Sequence, residues 1–63
     1  MVRFYVNNEK DAKRCRQAME AKFPVSIPGL TLDGDPKIFT GLILSVEEVS
    51  SNPKMRWRVI MRS

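Results

Sequence analysis

From residue 54 to residue 62 the chain reads KMRWRVIMR, in which Met55, Trp57, Val59 and Met61 alternate with Arg56, Arg58, Ile60 and Arg62. Side chains of a β-strand point to opposite faces with a period of two, so this alternation describes a two-faced strand. One face is built for a core and the other is crowded with guanidinium groups. Such a strand cannot stand alone: it needs neighbours for its backbone and a cover for its apolar side.

The nearest neighbour is the stretch 38–49, IFTGLILSVEEV, separated from it by Ser50-Ser51-Asn52-Pro53. Four turn-forming residues between two strand patterns suit a hairpin. Matching Val46 to Trp57, Leu44 to Val59 and Leu42 to Met61 gathers the apolar residues on one face. The other face then pairs Glu47 with Arg56, Ser45 with Arg58, Ile43 with Ile60 and Gly41 with Arg62. This register is the expectation, because a slip of one residue would turn every side chain to the wrong side.

The N-terminal half supplies a strand and a helix. Residues 2–6, VRFYV, alternate Val2, Phe4 and Val6 with Arg3 and Tyr5 and read as a short strand. Asn8, followed by Glu9 and Asp11, offers a helix N-cap, with both acids at the positive end of the helix dipole. Ala12, Cys15, Met19 and Phe23 recur at helical spacing, so one face of a helix from Glu9 to about Lys22 is apolar. Pro24 disfavours helical geometry at Phe23 and ends it. Residues 24–37, PVSIPGLTLDGDPK, hold three prolines and two glycines and read as an irregular connection. Within it, Val25 to Ile27 and Leu30 to Leu32 are either brief strands or apolar plugs.

The expected fold class is therefore α+β: a single domain over 1–63 in β-α-β-β order, one helix on a three-stranded, mainly antiparallel sheet with a C-terminal hairpin. A right-handed crossover places the arginine-bearing strand between the other two. If the segments at 25–27 or 30–32 form strands, the alternative is a small SH3-like barrel with one helix.

Sixty-three residues bury only about 60% of the surface of the unfolded chain, so the stability margin is thin. Cys15 is the single cysteine and there is no histidine, so an internal disulfide is excluded and no zinc ligand set is expected. No cofactor is expected, and self-association is left as the means of reinforcement. Asp33 and Asp35 in LDGDP lack the further oxygen ligands of a calcium loop and read as a turn. Glu47 and Glu48 are adjacent on a strand and face opposite sides, so they cannot work as a catalytic pair. No nucleophile sits with a base, Cys15 reads as structural, and the chain is expected not to be an enzyme. The longest aliphatic run, Leu42 to Leu44, is far too short to span a bilayer, so no membrane partner is expected. MVRFYVNN does not read as a signal peptide, and a lone thiol suits a reducing, cytoplasmic setting.

Charge is the remaining clue. The net charge of +4 is polarised: residues 23–53 hold Lys37 against Asp33, Asp35, Glu47 and Glu48, whereas 54–62 holds four bases and no acid. On the proposed sheet, Arg3, Tyr5, Arg56, Arg58 and Arg62 share the exposed face. Guanidinium groups pair with phosphates and an aromatic ring can stack a base, so this face fits nucleic acid or an acidic protein. A secondary basic face on the helix comprises Lys10, Lys13 and Arg14. The same residues also suit a merely solvated surface whose arginines keep the sheet from aggregating. The other functional reading is a protein-interaction or self-associating module in which a partner covers a sheet edge or an apolar patch near Ile43 and Ile60.

Overall fold

The computed structural model describes residues 1–49 and 55–62. The elements run β1 (Val2–Val6), α1 (Glu9–Ala21), β2 (Pro24–Leu30), β3 (Pro36–Glu48) and β4 (Trp57–Arg62). The four strands form one antiparallel sheet that closes in a ring, with neighbours in the order β1-β2-β3-β4 and β4 returning to β1. The helix packs on the inner side of this sheet, chiefly against β3 and β2. The fold is α+β, and the arginine-bearing strand β4 lies between β1 and β3 as expected. The expected loop at 50–53, with Lys54, lies outside the described residues.

Local chemistry accounts for the helix ends. Asn8 is extended, and its side-chain oxygen accepts from the Asp11 amide at 2.8 Å while its own amide donates to the Asp11 carboxylate at 2.9 Å. Two polar groups at the helix start are thus satisfied reciprocally. At the other end Lys22 adopts the left-handed conformation, φ 57°. Its amide donates to the Met19 carbonyl, and the Phe23 amide donates to that of Ala18, which closes the last turn. That turn redirects the chain at Phe23. The helix therefore buries Ala12, Cys15 and Ala18 with Met19 packed beside them, while Phe23 is 63% exposed rather than on the core face.

Residues 24–30 form a continuous strand, where the sequence suggested an irregular connection holding brief extended pieces. β2 pairs with β3 over seven positions, from Pro24 with Leu42 to Leu30 with Pro36, but meets β1 only at Tyr5 with Leu30. A proline fits a strand when its nitrogen points away from the partner. Pro24 and Pro28 share one phase of the ladder, so a single alternation turns both nitrogens toward the sparsely bonded β1 side. Gly29 matters there as well. The Phe4 ring lies so close that a β-carbon at residue 29 would sit 2.5 Å from Phe4 Cδ2. Phe4 is also stacked on Phe39, centroids 4.3 Å apart and rings 5° from parallel, which ties β1 to β3 across the core.

The β3–β4 register differs from the expected one. Ile43 pairs with Met61, but Ser45 pairs with Ile60, Val46 with Val59 and Glu47 with Arg58, so a bulge falls at Leu44. A bulge inserts one unpaired residue and reverses the phase of the strand. On β3, Phe39 and Ile43 therefore face inward before the bulge and Val46 after it. Leu42 and Leu44 were expected in the core; Leu42 is half-buried on the outer side and Leu44 is 39% exposed. Ile43, expected outside, is 2% exposed. β4 obeys strict alternation, with Trp57, Val59 and Met61 buried.

Just before the bulge, Gly41 has φ 155°, and a β-carbon on it would collide with the Arg62 carbonyl and lie 2.9 Å from Met61 Cγ. Two substitutions therefore move stability in opposite directions. Lys22→Gly removes the left-handed penalty on a side chain of about 1 kcal/mol and is expected to raise Tm by about 5 °C. Gly41→Ala forces β3 away from β4 and is expected to lower Tm by about 10 °C or more. Thermal melts followed by circular dichroism check both.

Candidate functional site

The candidate surface follows from the β1–β4 register. Tyr5 stands directly opposite Arg58, and Arg3 opposite Ile60. Residues two positions away on the neighbouring strand are diagonal neighbours at about 7–8 Å. Arg3 thus has Arg58 on one diagonal and Arg62 on the other, with Ile60 between them. Arg3 and Arg62 are exposed, and Tyr5, Arg58 and Ile60 are half-buried. Of the five residues singled out on this face, the structure gathers four: Arg3, Tyr5, Arg58 and Arg62.

Arg56 is the exception. It precedes β4, and its carbonyl accepts from the Val49 amide at 2.7 Å, which carries the ladder one step past the strand. Its guanidinium carbon sits 4.6 Å from the centroid of the Trp57 ring. A cation over an indole face is worth about 0.5–1 kcal/mol at an exposed site. Arg56 therefore helps to cover Trp57, which is 4% exposed, and stands apart from the row on β1 and β4.

The ion pair on this face is also redistributed. Glu47 was expected to meet Arg56; its carboxylate instead accepts from the Arg58 guanidinium at 2.8 Å, because on the turn side of the bulge the ladder is displaced by two residues, which keeps Glu47 on the same face. With both side chains partly solvated, the pair adds about 0–1 kcal/mol to stability. Its larger consequence is electrostatic, since it offsets the charge at the Tyr5 end of the row. Arg3 and Arg62 carry no ion pair among the described residues, and together they form the anion-attracting end of the row.

Lys10, Lys13 and Arg14 are exposed on α1. Because the helix packs on the inner side of the sheet, the core separates them from Arg3 and Arg62, and the two basic faces do not merge into one footprint. Beside Tyr5, where β1 and β2 share a single ladder pair, a cleft of about 150 Å³ is lined by Tyr5, Val6, Asn7, Asp11, Pro28, Gly29 and Leu30. It is smaller than the roughly 300–1,000 Å³ of pockets that enclose a small-molecule ligand. Sequence reasoning could not anticipate this cleft, because it depends on β2 being a strand. The patch imagined around Ile43 and Ile60 does not exist, since Ile43 lies inside the barrel. Among the described residues, no group of three or more His, Cys, Asp or Glu could hold a metal ion, and no helix is long and apolar enough to cross a membrane.

Cys15 is fully buried on the helix face. Burial pushes its thiol up from 9.0 to about 11, the Asp11 charge adds to this, and Arg14 works against it. A thiolate is the reactive form, so the folded protein keeps this group inert at neutral pH. The linkage has a definite sign. The folded pKa is raised, so the associated stability is fully present below about pH 9 and is lost as pH rises toward 11. Expected outcomes are negligible labelling of Cys15 by a thiol reagent at pH 8 until denaturant is added, and a fall in Tm between pH 9 and 11 that Cys15→Ala reduces.

No protein-family model, curated protein or solved structure matches this chain, so the functional reading rests on the chemistry of its own surface.

Proposed function

We propose that this is a small non-catalytic binding module that contacts an anionic partner, most specifically nucleic acid, through the outer face of β1 and β4. The observation that carries the reading is the cluster of Arg3, Arg58 and Arg62 around Ile60, with Tyr5 opposite Arg58. Guanidinium groups bind phosphate oxygens through paired, planar N–H donors. A half-buried tyrosine beside Arg58 gives a nucleobase a ring to stack on, and Ile60 gives sugar or base an apolar floor. Contacts to phosphate fix position without reading sequence, so a site of this composition favours backbone charge over a particular base order.

The arrangement also ranks the residues. Arg3 and Arg62 are unpaired and exposed and attract the ligand first. Arg58 becomes available only as its contact with Glu47 loosens or is shared. Arg56, held over Trp57, contributes least.

Titration of the protein with a short fluorescent oligonucleotide at about 20 mM and about 200 mM salt checks the reading, since affinity that rests on phosphate contacts falls steeply with salt. Arg3→Glu combined with Arg62→Glu is expected to weaken binding at least about tenfold, whereas Arg56→Glu has a smaller effect. Glu47→Gln frees Arg58 and is expected to tighten binding by about two- to fivefold. Absence of binding at low salt, or binding indifferent to the Arg3 and Arg62 reversals, refutes the proposal.

A further inference from the structure

The other outer face of the barrel, on β2 and β3, has the opposite character. Between residues 23 and 32, and again between 38 and 46, the sequence contains no Asp, Glu, Lys or Arg, in a chain with 18 such residues. Those two stretches are largely the strands that pair with each other. Their outward positions form the ladder pairs Pro24 with Leu42, Pro28 with Ile38 and Leu30 with Pro36. The one polar step between them, Ser26 with Thr40, is closed on itself by a hydroxyl–hydroxyl hydrogen bond of 2.9 Å. Ile38 is 62% exposed, and Phe23 and Leu32 at the two ends of the ribbon are exposed to a similar degree.

A solvated face of an antiparallel sheet ordinarily alternates polar residues outward. Here both faces of the ribbon are apolar, and contiguous exposed apolar surface marks a contact site. We propose that this face joins two copies of the chain in a two-fold homodimer. In an isologous interface a patch meets itself, so any charge near the axis meets a like charge. The β2–β3 face has none to repel, whereas the arginine face would.

The ends of the ribbon supply the orientation. At the hairpin tip stand Asp33 and Asp35, on a turn closed by the Gly34 amide donating to the Thr31 carbonyl at 2.9 Å. The nearby Lys37 ammonium is drawn toward the Phe39 ring, 5.8 Å from its centroid. At the opposite end stand Lys22, one residue before Phe23, and Arg62, whose ladder partner on β3 is Leu42. Laying two ribbons antiparallel places each acidic tip over the other copy's basic end, twice by symmetry. Seven residues span about 24 Å and two strands about 10 Å, a footprint smaller than the roughly 800 Å² per partner of a standard interface. The dimer is accordingly a weak one, with a Kd in the micromolar range or above. The apolar contact lies on the other face from the nucleic-acid reading, and only Arg62, at the border of the two, serves both; Ile38→Glu leaves the arginine face untouched and so tests the dimer separately.

Sedimentation equilibrium at low salt between about 1 μM and 1 mM tests it, with the expected outcome a monomer–dimer equilibrium. Ile38→Glu, at an exposed position, is expected to raise the Kd at least about tenfold while circular dichroism stays native. Asp33→Lys with Asp35→Lys is also expected to weaken association, and adding Arg62→Glu to that pair to restore part of it. The restoration cannot come from a variant that merely misfolds. A strictly monomeric protein throughout the range overturns the proposal, and so does a dimer that ignores both Ile38→Glu and the charge swap.

Discussion

The ring depends on one bent strand. β3 pairs with β2 through its first half and with β4 through its second, and Leu42 belongs to both ladders. A straight strand of thirteen residues would hold a flat sheet whose first and last members never meet. The bend is made where backbone sterics allow it, at Gly41, where the Arg62 carbonyl takes the space of a side chain, and at the Leu44 bulge that follows. Curvature there lets β4 reach β1 on one side, while β2 comes round on the other to place Gly29 against the Phe4 ring. Phe4 on Phe39 then fills the enclosed space, and the helix completes the core with its smallest side chains, Ala12, Cys15 and Ala18. A chain this short has few residues to devote to a core, so close approach of backbone and ring substitutes for bulk.

Closure of the ring also sorts the surface. Residues that a flat sheet would spread over one exposed side are divided between a basic β1–β4 face and an uncharged β2–β3 face. The first is suited by charge to phosphate and the second by lack of charge to a copy of itself. If both proposals hold, a two-fold dimer through β2–β3 carries two arginine faces, and a polyanion long enough to reach both gains affinity by effective concentration rather than by new contacts. Weak individual sites on a small domain become useful in that arrangement.

Much of this was legible from residue pattern. β1 and the helix start emerge from alternation and from Asn8 with its following acids, and the burial of Trp57, Val59 and Met61 follows from a period of two. The position of the arginine strand between two neighbours was legible too, because a right-handed crossover leaves room for the returning hairpin strand there. What could not be read was β2. Three prolines and two glycines between residues 24 and 37 signal a loop unless a partner on one side only makes the missing amides harmless. The bulge was equally hidden. Leu42, Ile43 and Leu44 are all aliphatic, so the phase of the strand is silent there, and an unbroken alternation was the simpler pattern. That one residue moved Ile43 inside and turned Leu42 and Leu44 outward, and a two-residue displacement of the ladder on its turn side gave Glu47 to Arg58 in place of Arg56.

The sequence by itself determined the periodic elements, the two-faced character of the last strand and the segregation of charge along the chain, because each is set by neighbours a few residues apart. Only the tertiary structure decided which residues share a face. The grouping of Arg3 with Arg58 and Arg62, the diversion of Arg56 onto Trp57 and the exposed ribbon of β2 and β3 all depend on register and closure. Those are set by a glycine φ angle, one bulge and a ring that fits against a glycine, interactions between residues too far apart in the chain for any local pattern to record.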